Sequence, residues 1–158
     1  DYYTNHCMIE ECINTDQLKE SRKRIHERIL SESKHTPMKH IYLLGYSQGA
    51  AMVIVYSAYS QNKFDCLMMF NGYLPTTHQG LITTINNNKP FSTPALNFIA
   101  TNDGFYSLGE AITPIGNTTE YFTNIKEVES TTAGHALPTN SDSTFTDVID
   151  FIRTTRTI

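Results

Sequence analysis

Four short apolar runs punctuate the chain, and longer stretches with helical spacing separate them. His40 to Leu44 (His-Ile-Tyr-Leu-Leu) runs straight into a glycine and predicts a strand buried on both faces, as parallel sheets use. Cys66 to Phe70 predicts a second buried strand, followed by the turn residues Asn71-Gly72. Ala95 to Ala100 predicts a third, ended by Asn102-Asp103-Gly104, and Tyr121 to Val128 a fourth with poor alternation. Between these lie the helical patterns. Leu18, Ile25 and Ile29 form a narrow apolar stripe, with Glu20 and Arg24 spaced to pair across one turn. Asn14 suits a helix cap with Gln17 at the box position, and Thr36-Pro37 closes that helix. Gln48 to Ser60 is apolar on most sides and predicts a buried helix. Phe145, Val148, Ile149 and Ile152, at i, i+3, i+4 and i+7, predict an amphipathic C-terminal helix. Gly80 to Thr93 reads as an exposed connection, and Asp1 to Ile13 has no clear period. Strands alternating with helices predict an α/β fold with a mostly parallel sheet and flanking helices, in one domain over residues 1–158.

Composition narrows the function classes. At 158 residues and 39% hydrophobic, the chain can bury a core. A net charge of −4 argues against nucleic acid or an anionic membrane as the main partner. The locally basic stretch from Lys19 to Arg28 is interleaved with Glu20 and Glu27, which reads as a solvated helix face. Cys7, Cys12 and Cys66 are an odd number without CxxC spacing and favour a reducing compartment, the location being otherwise open. The scattered histidines show no metal-ligand spacing, so neither a metal nor a cofactor is expected. No stretch is long enough to span a membrane, and no signal peptide is visible. Asn117-Thr118-Thr119 is a glycosylation triplet of low specificity.

The chemistry concentrates at Gly45-Tyr46-Ser47-Gln48-Gly49. A serine on a sharp strand-to-helix turn exposes its hydroxyl, and glycines two before and two after relieve crowding. The next backbone N–H, that of Gln48, then points with the helix N-terminus toward developing negative charge. The predicted strand before Gly45 and helix after Gly49 supply this setting. Such a serine needs a base, and the base an orienting carboxylate, in the order Ser, Asp or Glu, His. Downstream of Ser47 stand two histidines, His78 and His135. His135 lies in the small-residue loop Ala133-Gly134-His135-Ala136 after the fourth strand and is the preferred base; His78 lies directly after the second strand. Asp103 falls just past the C-terminal end of the third strand, where catalytic groups gather in open α/β sheets. Asp65 precedes its strand and so sits at the wrong end, while Asp142, Asp147 and Asp150 suit capping and surface roles on the last helix.

With these residues in place, the chain resembles the phospholipase/carboxylesterase group of α/β-hydrolases, which includes the acyl-protein thioesterases. Gly45-Tyr46-Ser47-Gln48-Gly49-Ala50 is similar to that group's Gly-Phe-Ser-Gln-Gly-Gly elbow, and Tyr73-Leu74-Pro75 to its Trp-Leu-Pro turn. Asp103 lands on its triad aspartate and Gly134-His135 on its catalytic histidine. The resemblance implies a serine hydrolase acting on small to medium acyl esters or thioesters. Ser47, Asp103 and His135 would be the triad, and Gln48 an oxyanion-hole donor. Tyr73, Leu74, Phe105, Tyr106 and Leu137 are acyl-pocket candidates by position.

The chain also departs from the group's pattern. Asp103 is followed by Gly104 rather than proline, and Phe105 to Gly116 holds Gly109 and Pro114 where a well-formed helix is usual. Nothing in Asp1 to Ile13 matches the Leu-His-Gly-x-Gly loop that supplies a second oxyanion donor, a loss of about 10²–10³ in rate. The N-terminal strands are likewise not visible, so the nucleophile strand is expected to form an exposed apolar edge. Pairing with a missing N-terminal half, or with another subunit, is the expectation that follows. A non-catalytic, structural subunit of a larger assembly is the alternative functional reading.

Overall fold

The computed structural model describes residues 15–60, 64–72, 87, 91–104 and 122–156. Helix α1 (Thr15–Ser33) is followed by a 3-10 turn (Met38–His40), strand β1 (Tyr42–Tyr46), helix α2 (Gln48–Tyr59), strands β2 (Cys66–Phe70), β3 (Ala95–Ala100) and β4 (Ile125–Ser130), and helix α3 (Phe145–Thr155). Among the described residues these four strands form one sheet in the order β1-β2-β3-β4. Every pairing is parallel, with Tyr42 opposite Cys66, Leu67 opposite Ala95 and Ala95 opposite Ile125. All the strands therefore end on one side of the sheet, and the loops that leave those ends are brought together there.

Helices cover both faces because the strands are apolar on both. One face packs Leu67, Met69 and Ala95 against α2, whose Ala50 to Ala58 are all buried, and against Leu18 and Ile29 of α1. The other packs Met68, Phe70, Leu96 and Phe98 against Val148 and Phe151 of α3. A fully buried side chain of this size contributes about 1.5–3 kcal/mol, so the two layers together dominate the fold's stability. The expected stripe on α1 is present. Its charges pair along the helix surface: Lys19 with Asp16, Lys23 with Glu27, Arg24 with Glu20 and Arg28 with Glu32. Such exposed pairs contribute only about 0.3–0.5 kcal/mol each.

Three expectations need correction. The first strand runs from Tyr42 to Tyr46 rather than His40 to Leu44, because the 3-10 turn takes up Met38–His40. It is not buried on both faces. Among the described residues β2 is its one neighbour, and Leu44 is 50% exposed. The fourth strand is Ile125–Ser130, shifted toward the C-terminus, with Phe122 forming an isolated bridge to Phe91. Those two rings lie 5.2 Å apart and are buried, so the connection expected to be exposed ends in the core. The proposed cap at Asn14, Cys7, Cys12, His78 and the Asn117 triplet lie outside the described residues.

Candidate active site

Strand β1 ends at Tyr46 and α2 begins at Gln48, which leaves Ser47 alone in the turn between them. Its φ is +53°, in the region that disfavours side chains, a strain of about 1–3 kcal/mol. The backbone around it holds the strain: Ser47 N–H donates to Phe70 O at 2.8 Å, and Ala50 N–H to Ser47 O at 2.9 Å. A serine at the N-cap of a helix ordinarily accepts a hydrogen bond from that helix. Ser47 makes no side-chain cap bond to α2. Its Oγ lies instead 3.0 Å from His135 Nε2.

On its other side, His135 Nδ1 lies 2.6 Å from Asp103 Oδ2. Asp103 is buried at 9% exposure, one turn past the end of β3, with its N–H donating to Ala100 O. Residues separated by 88 and 32 positions in sequence thus form one hydrogen-bonded chain. The bond to Asp103 presents Nδ1 as the donor to the carboxylate and leaves Nε2 to accept from the serine hydroxyl. Gln48 is the first residue of α2, so its N–H belongs to the helix's N-terminal turn beside Ser47. Asp65 stands at the opposite end of the sheet, where its N–H donates to Ile41 O and its carboxylate, after burial, raises the Tyr42 phenol.

The loop carrying His135 is held by groups that sequence patterns did not mark. Tyr46 Oη donates to His135 O at 2.6 Å, and burial, then the Asp103 charge, hold that phenol above its ordinary value and so protonated. Asn102 Oδ1 accepts Gly134 N–H at 2.8 Å. Asn71, read from sequence as a turn residue, is 3% exposed with a φ of +46°. Its Nδ2 donates to Ala136 O at 2.6 Å and Gly134 O at 3.2 Å. Asp142 was expected in a capping or surface role. It does accept Thr144 N–H at the start of α3, but it is buried. It also accepts Ser130 Oγ at 2.6 Å and Thr132 Oγ1 at 3.0 Å, and these bonds hold its carboxyl down at about 2, Ser130 contributing most. The available signal for these residues was polarity beside turns of small residues, which many solvent-facing turns share.

Of the acyl-pocket candidates, Leu137 is described. It is 45% exposed and lines a hollow of about 180 Å³ with Ala133, Ala136 and Asp142, of which Ser47 is not part. Tyr73, Leu74, Phe105 and Tyr106 lie outside the described residues. Among the described residues no cluster of three or more His, Cys, Asp or Glu side chains could hold a metal ion. Among them, too, no helix is long and apolar enough to cross a membrane.

Comparison with known proteins places this geometry in context. The structure of SOBER1 from Arabidopsis thaliana superposes with a TM-score of 0.66 at 17% identity, over 90% of this chain and 66% of that one. The Bacillus cereus carboxylesterase superposes with a TM-score of 0.64 at 13% identity, over 92% and 66%. YahD, solved with malic acid, gives 0.64 at 16% identity, over 94% and 68%. The chain therefore spans about two thirds of the length of these structures, and at such identities the likeness shows the shared α/β-hydrolase fold. No curated protein sequence matches the chain. The family model for phospholipase/carboxylesterase matches residues 7–156, nearly the whole chain. With an elbow serine entering α2 from a parallel sheet of the same fold, the chain belongs to the phospholipase/carboxylesterase family of α/β-hydrolases, an esterase-type hydrolase family.

Proposed function

We propose that the protein is a serine hydrolase that cleaves carboxylic esters or thioesters through Ser47, His135 and Asp103. The observation that carries this reading is the unbroken chain from Asp103 Oδ2 to His135 Nδ1 (2.6 Å) and from His135 Nε2 to Ser47 Oγ (3.0 Å). Ser47 Oγ attacks the acyl carbon while its proton passes to Nε2, and the Gln48 N–H faces the oxyanion. The imidazolium, stabilised by Asp103, returns the proton to the departing alcohol or thiol. Water then attacks the acyl-serine ester with His135 again as base, releasing the carboxylic acid and restoring the Ser47 hydroxyl. Tyr73, Leu74, Phe105, Tyr106 and Leu137 would line the site for a small to medium acyl chain.

A fluorophosphonate probe tests the reading directly. Labelling of the wild-type chain and its loss in Ser47→Ala is the expected result. A folded wild-type protein that neither takes the label nor hydrolyses p-nitrophenyl acetate would overturn the reading and favour a structural role.

We also propose that the open edge of β1 pairs with a further strand, from elsewhere in the same polypeptide or from another subunit. The support is an apolar strand with one sheet neighbour among the described residues, on which Leu44 is 50% and Tyr46 37% exposed. Unpaired strand edges of this kind are templates for pairing. Amide hydrogen exchange decides it: a monomer in which the β1 amides that face away from β2 exchange as freely as those of a loop rules the pairing out.

A further inference from the structure

Ser47, His135 and Asp103 come from three different stretches of chain, and one buried side chain ties the supports of His135 and Asp103 together beside the backbone that anchors Ser47. Asn71 follows the last residue of β2. Its preceding residue, Phe70, accepts the Ser47 N–H at 2.8 Å. Its Nδ2 donates to the carbonyls on either side of His135, Ala136 O at 2.6 Å and Gly134 O at 3.2 Å. Its Oδ1 accepts the Ala100 N–H at 2.8 Å, and the Ala100 carbonyl in turn accepts the Asp103 N–H at 3.1 Å. The Asn71 N–H closes the set on Phe98 O at 2.9 Å.

The chemistry of the amide makes this arrangement specific. One oxygen must accept from a backbone N–H while the nitrogen donates to two carbonyls, and an amide supplies both in one planar group. Aspartate has no donor for the two carbonyls; alanine and glycine have neither function. Asn71 also adopts a φ of +46°, which asparagine tolerates better than most residues. At 3% exposure its bonds form away from competing water, so each lost partner leaves a buried carbonyl or N–H unsatisfied. The loop has modest bonding of its own: the Ala136 N–H to Gly134 O contact, at 2.8 Å, makes a three-residue turn with His135 at its apex.

We propose that Asn71 is the positioning residue that sets His135 against both Ser47 and Asp103. The proposal rests on the hydrolase reading for its kinetic consequence, but its structural consequence is independent of turnover. Without the amide, the Gly134–Ala136 segment would lose its tie to β2 and keep only Tyr46 on the His135 carbonyl and Asn102 on the Gly134 N–H as side-chain anchors, and the imidazole would drift from the serine. A misplacement of about 1 Å in a catalytic group lowers rates by roughly 10²-fold.

The experiment compares the wild-type chain with Asn71→Gly, which accepts the positive φ, and Asn71→Asp, which keeps the size and the acceptor. Two quantities are read: kcat and KM on p-nitrophenyl acetate, and the low-field proton NMR signal of His135 Nδ1–H bound to Asp103. The expected result is a fall in kcat of about 10- to 100-fold with KM changed less than about twofold, and a shifted or exchange-broadened low-field signal. A merely structural asparagine would lower the melting temperature and leave both readings in place. That result in a folded variant overturns the proposal. If Asn71→Gly does not fold, Asn71→Asp carries the test. If the wild-type chain has no hydrolase activity, the hydrolase reading fails by itself, and the His135 signal still decides whether Asn71 positions the ring.

Discussion

Gly45 and Gly49 meet backbone to backbone across the elbow: a Cβ on Gly45 would stand 2.1 Å from the Gly49 carbonyl oxygen. The reverse does not hold, since a Cβ on Gly49 meets nothing within 4 Å. The two glycines of the motif therefore differ in kind. The first makes room for the helix to leave at a sharp angle, and the second is, among the described residues, free of that constraint.

Gly45→Ala should be severely destabilising, by about 3 kcal/mol or more, because the clashing atoms are backbone and cannot rotate away. Gly49→Ala, in the first turn of α2, should be neutral or stabilising by up to about 1 kcal/mol. Chemical denaturation of both variants checks the asymmetry; equal losses would show that the elbow does not rest on this approach.

Acid should loosen the His135 loop before it unfolds the sheet. The Asp142 carboxyl is held at about 2, against 3.8 for the ordinary group, chiefly by the Ser130 hydroxyl and then by Thr144. A carboxyl whose folded value is depressed contributes stability that is complete above the ordinary value. That stability is lost as pH falls through the folded one. The window is thus from about pH 4 down to about pH 2. Protection of the Thr132 and Ala133 amides, whose N–H groups donate to Ser130 Oγ, measured against their intrinsic exchange rate at each pH, should fall across that window. Asp142→Asn should abolish the pH dependence and leave the loop loosened throughout.

Cys66 should be silent toward thiol reagents in the folded protein. It is fully buried in β2, and burial pushes its thiol up to about 12, a hydrogen bond from Thr155 opposing only part of the shift. At pH 8 almost none of it is thiolate, the reactive form. Brief iodoacetamide treatment followed by peptide mapping should find Cys66 unmodified until denaturant is added. Rapid labelling without denaturant would mean that β2 opens locally.

Asn97 is a second buried asparagine with the opposite character to Asn71. It is fully buried in β3, on the face toward α2, and neither its Oδ1 nor its Nδ2 has a hydrogen-bond partner among the described residues. A desolvated, unpaired amide costs about 1–3 kcal/mol. Asn97→Leu should therefore raise stability by about 1–2 kcal/mol, read as a higher denaturation midpoint at unchanged slope. A destabilised variant would show that the amide has a partner such as a buried water.

The α/β order, the family and the order of the candidate triad were all legible in the sequence. Each rests on local pattern: apolar runs at Cys66–Phe70 and Ala95–Ala100, helical spacing from Phe145, and a serine set between Gly45 and Gly49. Local signals mark which residues want burial and where the backbone must turn sharply, because those demands act over a few neighbouring positions. What they do not carry is pairing between distant segments. The Phe91–Phe122 contact, the burial of Asp142 and the reach of Asn71 to both sides of His135 were decided only when parallel pairing brought the strand ends together. An asparagine in a turn and an asparagine holding a histidine loop look alike along the chain. Their difference lies in partners more than 60 residues away, and only the tertiary structure supplies those.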